Sequence, residues 1–149
     1  MKQLIAPIAL ALLAATSVQA EEDLSLITTV NWYQIDAYCT FQRADAVFKY
    51  EDMDTWDFLY FTQHGSDGLS EVGYVPINYR LRELELIETV QGKDGETRSY
   101  RTYGPDVYEV TLTMSIAAVG YENTDYKGYL TVKGEKGEET IEVKGGCGV

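Results

Sequence analysis

Between Val110 and Ala118 the chain alternates without interruption. Val110, Leu112, Met114, Ile116 and Ala118 share one parity, and Thr111, Thr113, Ser115 and Ala117 the other. Only a strand, whose side chains leave on opposite faces at every step, turns that pattern into one apolar face and one small or polar face. Residues 107–118 are therefore expected to form a long half-buried strand, and such a strand requires neighbours. Shorter runs repeat the pattern. Residues 128–133 put Leu130 and Val132 on one face, and residues 140–144 do the same with Ile141 and Val143. Between them lies Gly134-Glu135-Lys136-Gly137-Glu138, a hairpin-type connection, so the C-terminal third reads as a β-meander.

Upstream, residues 81–90 carry Leu84, Leu86 and Val90 on one face. Gln91-Gly92-Lys93-Asp94-Gly95 supplies a turn whose Asp-Gly pair tolerates positive φ, and residues 97–103 return. Gly104-Pro105 then breaks the chain. The first half is less regular. Residues 26–35, rich in β-branched and aromatic side chains, read as a strand continuing or bending towards Tyr38-Cys39-Thr40-Phe41. Residues 42–50 suit a short helix or a strand, and residues 58–62 form an apolar run ahead of the turn His64-Gly65-Ser66-Asp67-Gly68. About eight strands, with turn signals between them, define an all-β antiparallel sandwich or barrel. No linker, repeat or low-complexity tract divides it.

The N-terminus is not part of that fold. Residues 1–20 have Lys2 as a positive n-region, an apolar stretch from Leu4 to Ala15 and the small-residue ending Val18-Gln19-Ala20, followed by Glu21-Glu22-Asp23. This is the layout of a cleavable secretory signal peptide. The apolar stretch is well short of the ~20 residues a membrane-spanning helix needs. The first cysteine is Cys39, so none follows the cleavage point to carry a lipid. Residues 21–149 are expected to be one domain, periplasmic or secreted, large enough to bury about two thirds of its unfolded surface. No later segment is apolar enough to span a membrane as a helix.

Export gives the cysteines a meaning. There are two, Cys39 and Cys147, and an oxidising compartment is expected to pair them. The alternative is two free or intermolecular thiols, Cys147 sitting in a glycine-rich tail. A zinc site is poorly supported: the two cysteines and His64 make three ligands where a structural site takes four. No cofactor motif occurs.

The chain carries a formal net charge of −12, and removal of Lys2 with the signal segment takes it to about −13. That field opposes nucleic-acid binding, which needs a basic patch to neutralise phosphates. The nearest approach, Arg80 with Arg82, is flanked by Glu83, Glu85 and Glu88. The charge favours solubility, and it would attract a basic partner over long range.

Catalytic signals are weak. His64-Gly65-Ser66-Asp67 places triad residue types along one turn, where they seldom converge, and no Gly-x-Ser-x-Gly elbow is present. Paired carboxylates could act on a glycosidic bond, but 24 acidic residues guarantee close pairs without singling one out. The densest acidic cluster surrounds Trp56, with Asp52, Asp54 and Asp57. Its spacing fails as an EF-hand: Trp56 and Asp57 stand where a ligand and then glycine belong, and Gln63 takes the place of the bidentate Glu. Asp52, Asp54, Trp56 and Asp57 are therefore candidates for a partner-binding loop, with an irregular calcium loop as the alternative. The tyrosines add a second possibility: Tyr100 and Tyr103 flank Arg101, and Tyr121, Tyr126 and Tyr129 surround residues 122–125.

These features together favour an exported, non-enzymatic binding protein whose partner is a protein or glycan, with a basic protein such as a cell-wall hydrolase as the sharper version. A carboxylate-dependent hydrolase of envelope polysaccharide requires a cleft holding two carboxylates beside aromatic rings. A structural subunit of a surface assembly requires an unpaired strand edge.

Overall fold

The computed structural model describes residues 25–32 and 37–148. Residues 1–24, which include the expected signal segment 1–20, and residues 33–36 and 149 lie outside them. Eight antiparallel strands close into a ring. In chain order the strands are β1 (Val30–Asn31), β2 (Ala37–Arg43), β3 (Asp57–Phe58), β4 (Tyr60–His64), β5 (Glu71–Ile77), β6 (Arg80–Gln91), β7 (Gly95–Thr102), β8 (Glu109–Val119), β9 (Asn123–Gly134) and β10 (Gly137–Gly148). β1 and β3 pair with each other outside the ring, and every other strand pairs with its neighbours in the order β10-β2-β4-β5-β6-β7-β8-β9. Of the sandwich and the barrel, this is the barrel.

The alternation decides what faces inward. Val110, Leu112 and Met114 of β8 meet Leu130, Val132, Ile141, Val143, Phe41, Tyr60 and Val75 in one buried core. An eight-stranded ring leaves an interior just wide enough for side chains to fill or for one small ligand. The opposite parity carries Lys127, Lys133, Glu138, Glu142 and Lys144, all of them water-facing except where Lys144 Nζ donates to the Ala46 carbonyl at 2.6 Å. Along these positions of β9 and β10 the outward face is charged, where a lipid-facing strand would be apolar. No helix among the described residues is long and apolar enough to cross a membrane.

The seam between first and last strands is covalent. Cys39 of β2 and Cys147 of β10 are register partners and form a disulfide, with Cα atoms 4.0 Å apart. The expected pairing is present, and the glycine-rich tail is the end of a strand. Two positions earlier, Gly145 faces Phe41, and a Cβ there would stand 2.0 Å from the Thr40 carbonyl oxygen. The strands can approach this closely only because position 145 has no side chain.

One end of the ring is plugged. Ile27 is fully buried and bridges Ile77, while Thr28 N–H donates to the Pro76 carbonyl at 3.1 Å and Asn78 N–H to the Leu26 carbonyl at 3.0 Å. The Glu139 carboxylate accepts from Ile27 N–H at 2.8 Å and from Ser25 Oγ at 2.9 Å. The β5–β6 turn sits here, with Asn78 and Tyr79 both at positive φ, 48° and 61°. Two such residues make the hairpin turn that matches strand twist, and Tyr79 N–H is held by Thr28 Oγ1 at 3.0 Å.

Several elements depart from the sequence reading. Of the expected strand at 26–35, residues 33–35 lie outside the described residues; among residues 26–32 only Val30–Asn31 is strand, and it lies outside the ring. Residues 44–50 are neither helix nor strand, because Phe48 turns to pack on Trp56 and Phe58. β5 carries no strong sequence signal, since Gly73 and Pro76 interrupt its pattern. In β6 the register shifts between Leu86 and Glu88, so Val90 lies opposite Thr97 on the outer face while Thr89, opposite Arg98, faces in. An extra residue at that bulge reverses the parity. β8 buries Val110, Leu112 and Met114, whereas Ile116 and Ala118 are exposed because the core ends below them. Residues 123–125, which would be a loop between the tyrosines if the strand began at Gly128, are the start of β9.

Candidate functional site

The end opposite the plug is open, and β5 and β6 part there. Their last paired residues are Gly73 and Leu84, but β6 continues to Gln91 with no β5 partner along that edge. The gap is a slot of about 170 Å³ lined by Thr62, Glu71, Gly73, Leu84, Leu86, Thr89, Glu96, Arg98 and Tyr100. Alternation places Glu96, Arg98 and Tyr100 in it, because β7 presents every second residue inward.

Arg98 crosses the slot. Its Nε donates to Glu96 Oε1, and its Nη1 donates to Glu71 Oε1 at 3.2 Å, joining β7 to β5 where the strands have separated. Gln91 Nε2 donates to the other Glu96 oxygen at 2.7 Å. At the floor, the hydroxyls of Tyr60 and Tyr100 are 2.6 Å apart. Burial, then the adjacent Tyr100 phenol, hold the Tyr60 pKa well above the ordinary value. Burial also raises Tyr100, against the opposing influence of its hydrogen bond to Tyr60 and the Arg98 charge. Burial disfavours the Arg98 charge, but the neighbouring phenols and Glu96 outweigh it and its pKa is raised.

Glu71 and Glu96 converge beside tyrosines, as a carboxylate-dependent hydrolase would require. Both, however, are hydrogen-bonded to Arg98. The constellation is suited to binding: a cation committed to two carboxylates, apolar walls at Leu84 and Leu86, and two phenols beneath. Around the opening the hairpin ends expose Leu69, Val119 and Tyr121 among Asp67, Asp94 and Glu122, and the bulge of β6 exposes Ile87 and Glu88.

The residues singled out in the sequence lie elsewhere. Asp52, Asp54, Trp56 and Asp57 sit on the outer wall over β2, where Gln42 Nε2 donates to the Thr55 carbonyl at 2.8 Å. Asp52 caps the short 3₁₀ turn Met53–Thr55 by accepting from Asp54 N–H at 3.3 Å. Trp56 is half-buried, not exposed: it stands between Phe48 and Tyr50, each 5.8 Å away, and donates its indole N–H to the Lys49 carbonyl at 3.1 Å. Among the described residues no three His, Cys, Asp or Glu side chains are grouped to hold a metal ion. The His64-Gly65-Ser66-Asp67 segment is a turn in which Asp67 Oδ1 accepts from Leu69 N–H, Ser70 N–H and Ser70 Oγ at 2.8–2.9 Å. Those bonds, led by Ser70 N–H, lower its pKa to about 2.

Sequence reasoning passed over Glu71, Glu96 and Arg98. Their one available signal was charge on the inward parity of a strand, and the inward parity of β7 could not be known without its partners. A more open depression of about 400 Å³ on the outer wall, at Arg101, Val107, Glu109, Lys133 and Gly134, has no comparable convergence of groups.

The fold and the site define a closed eight-stranded antiparallel barrel with one plugged end and a polar slot at the other. No family model, curated protein or solved structure matches the chain.

Proposed function

We propose that this chain is an exported, non-enzymatic binding protein that engages a basic protein partner, such as a cell-wall hydrolase, through the open end of its barrel. The observation that carries the reading is the combination at that end: exposed Leu69, Ile87, Val119 and Tyr121 beside Asp67, Glu88, Asp94 and Glu122, around a slot lined by Glu71 and Glu96. Apolar side chains exposed at the open end suit a protein-binding face, and the acidic side chains select the sign of the partner. The disulfide is compatible with a periplasmic or extracellular setting. The loop at Asp52, Asp54, Trp56 and Asp57 is the rival face, but its rings are already packed on one another.

The test is calorimetric titration with basic cell-wall hydrolases at low and high salt. Binding that weakens as salt rises, and that is lost in Tyr121→Asp but kept in Asp54→Asn, supports the reading. Salt-insensitive binding, or none, argues against it.

A second reading, a structural subunit of a surface assembly, is favoured by the unpaired β6 edge beyond Leu84. The bulge before Glu88 and that residue's charge work against strand addition there. Sedimentation that stays monomeric over a wide concentration range would remove it.

A further inference from the structure

Resting on the reading of a basic partner, we infer that the slot between β5 and β6 receives one cationic side chain of that partner, an arginine or a lysine. The slot walls carry Glu71 and Glu96 against Arg98, one negative charge in excess. Both oxygens of Glu96 are engaged, one by Arg98 and one by Gln91. Glu71 gives only Oε1 to Arg98, and no hydrogen bond among the described residues occupies its Oε2. Glu71, on the slot wall, is therefore left with a charged acceptor that no donor among the described residues occupies.

The same geometry disfavours an anion. Arg98 already has its Nε and Nη1 committed to carboxylates, and an anionic ligand that reached its remaining N–H groups would stand beside Glu71 and Glu96 in a slot with one negative charge in excess. An incoming ammonium or guanidinium displaces nothing; it adds a charge-assisted hydrogen bond to Glu71 Oε2. Leu84 and Leu86 offer apolar wall to the aliphatic stem of such a side chain, which buries its methylenes while its charged head finds an acceptor. The volume of about 170 Å³ suits a side chain and falls below the ~300 Å³ at which pockets for whole drug-sized ligands begin.

The test uses nuclear magnetic resonance on the disulfide-bonded protein, with N-acetyl-arginine methylamide, its lysine counterpart and the neutral glutamine counterpart as probes. Saturable shifts at Glu71, Arg98 and Tyr100 are expected with the two cations and absent with glutamine. Glu71→Gln should weaken the cationic probes about tenfold, the loss expected for one charge-assisted hydrogen bond. Thr89→Arg, which places a cation at the slot from the inward face of β6, should abolish probe binding without altering Glu71; an unchanged thermal midpoint establishes that each variant is folded. Equal binding of cation and glutamine probes, shifts centred on residues 52–57, or no saturable shift overturns the slot assignment. A basic protein that binds wild type and Glu71→Gln equally overturns the slot but leaves the partner class standing. Failure of every basic protein to bind, while the arginine probe still titrates Glu71, overturns the partner reading alone.

Discussion

The two ends of the barrel are made of the same strands and have opposite characters. At one, Ile27 is driven to full burial, its N–H donating to Glu139 and the next N–H, of Thr28, to the Pro76 carbonyl; at the other, inward-facing Leu86 and Ile116 remain roughly half exposed and the interior turns polar at Arg98, Glu71 and Glu96. The difference lies in chain supply. Residues 25–28 pack onto the plugged end, whereas at the open end β4 and β5 stop while β6 runs on. An end that is filled contributes packing, and an end that is left open exposes chemistry.

The largest test breaks the seam common to both ends. Cys39→Ser with Cys147→Ser opens a link between residues 108 apart in sequence, and stability by urea unfolding should fall by about 4–5 kcal/mol. An unchanged midpoint would mean that the β2–β10 ladder alone holds the ring closed. Next, Ile27→Ala should cost about 3 kcal/mol, as removal of a buried aliphatic side chain does. Ile116→Ala, at 44% exposure, should stay within about 0.5 kcal/mol. Equal losses at the two positions would abolish the distinction between the ends.

A smaller effect belongs to the slot floor. Tyr60 and Tyr100 have folded-state pKa values above their unfolded ones, so their contribution is complete below the ordinary phenol value of ~10 and is lost as pH rises through the raised folded values. Ultraviolet titration should show ordinary tyrosines ionising first, with unfolding accompanying the late ones. Tyr100→Phe should cost about 1 kcal/mol, for the lost hydrogen bond, and flatten that alkaline limb. The smallest is local. Asp67 is depressed to about 2, so its hold on the turn is complete above the ordinary carboxylate range and is lost as pH falls towards 2. Amide exchange at Leu69 and Ser70 should accelerate in that acid window while the core amides stay protected. Protection that is flat through it would show that the turn does not depend on the charge.

The regular strands were legible and the site was not. Val110, Leu112 and Met114, Leu130 with Val132, and Ile141 with Val143 turned inward as their alternation required. The parity of Val90 failed because a bulge leaves no local mark, and β5 went unseen because glycine and proline interrupt it. Asp52, Asp54, Trp56 and Asp57 stood out because they are contiguous. Glu71, Glu96 and Arg98 did not, since they meet only across β5 and β7.

By itself the sequence determined the strand class, the inward face of the best strands and the Cys39–Cys147 pair, because these depend on period-two patterning and on there being two cysteines to join. Tertiary structure alone decided that the strands form a ring, that Ile27 plugs one end, and that β5 and β6 separate at the other to leave the Arg98 slot. The physical reason is that closure, register shift and strand overhang are properties of pairs of strands. No single segment carries them.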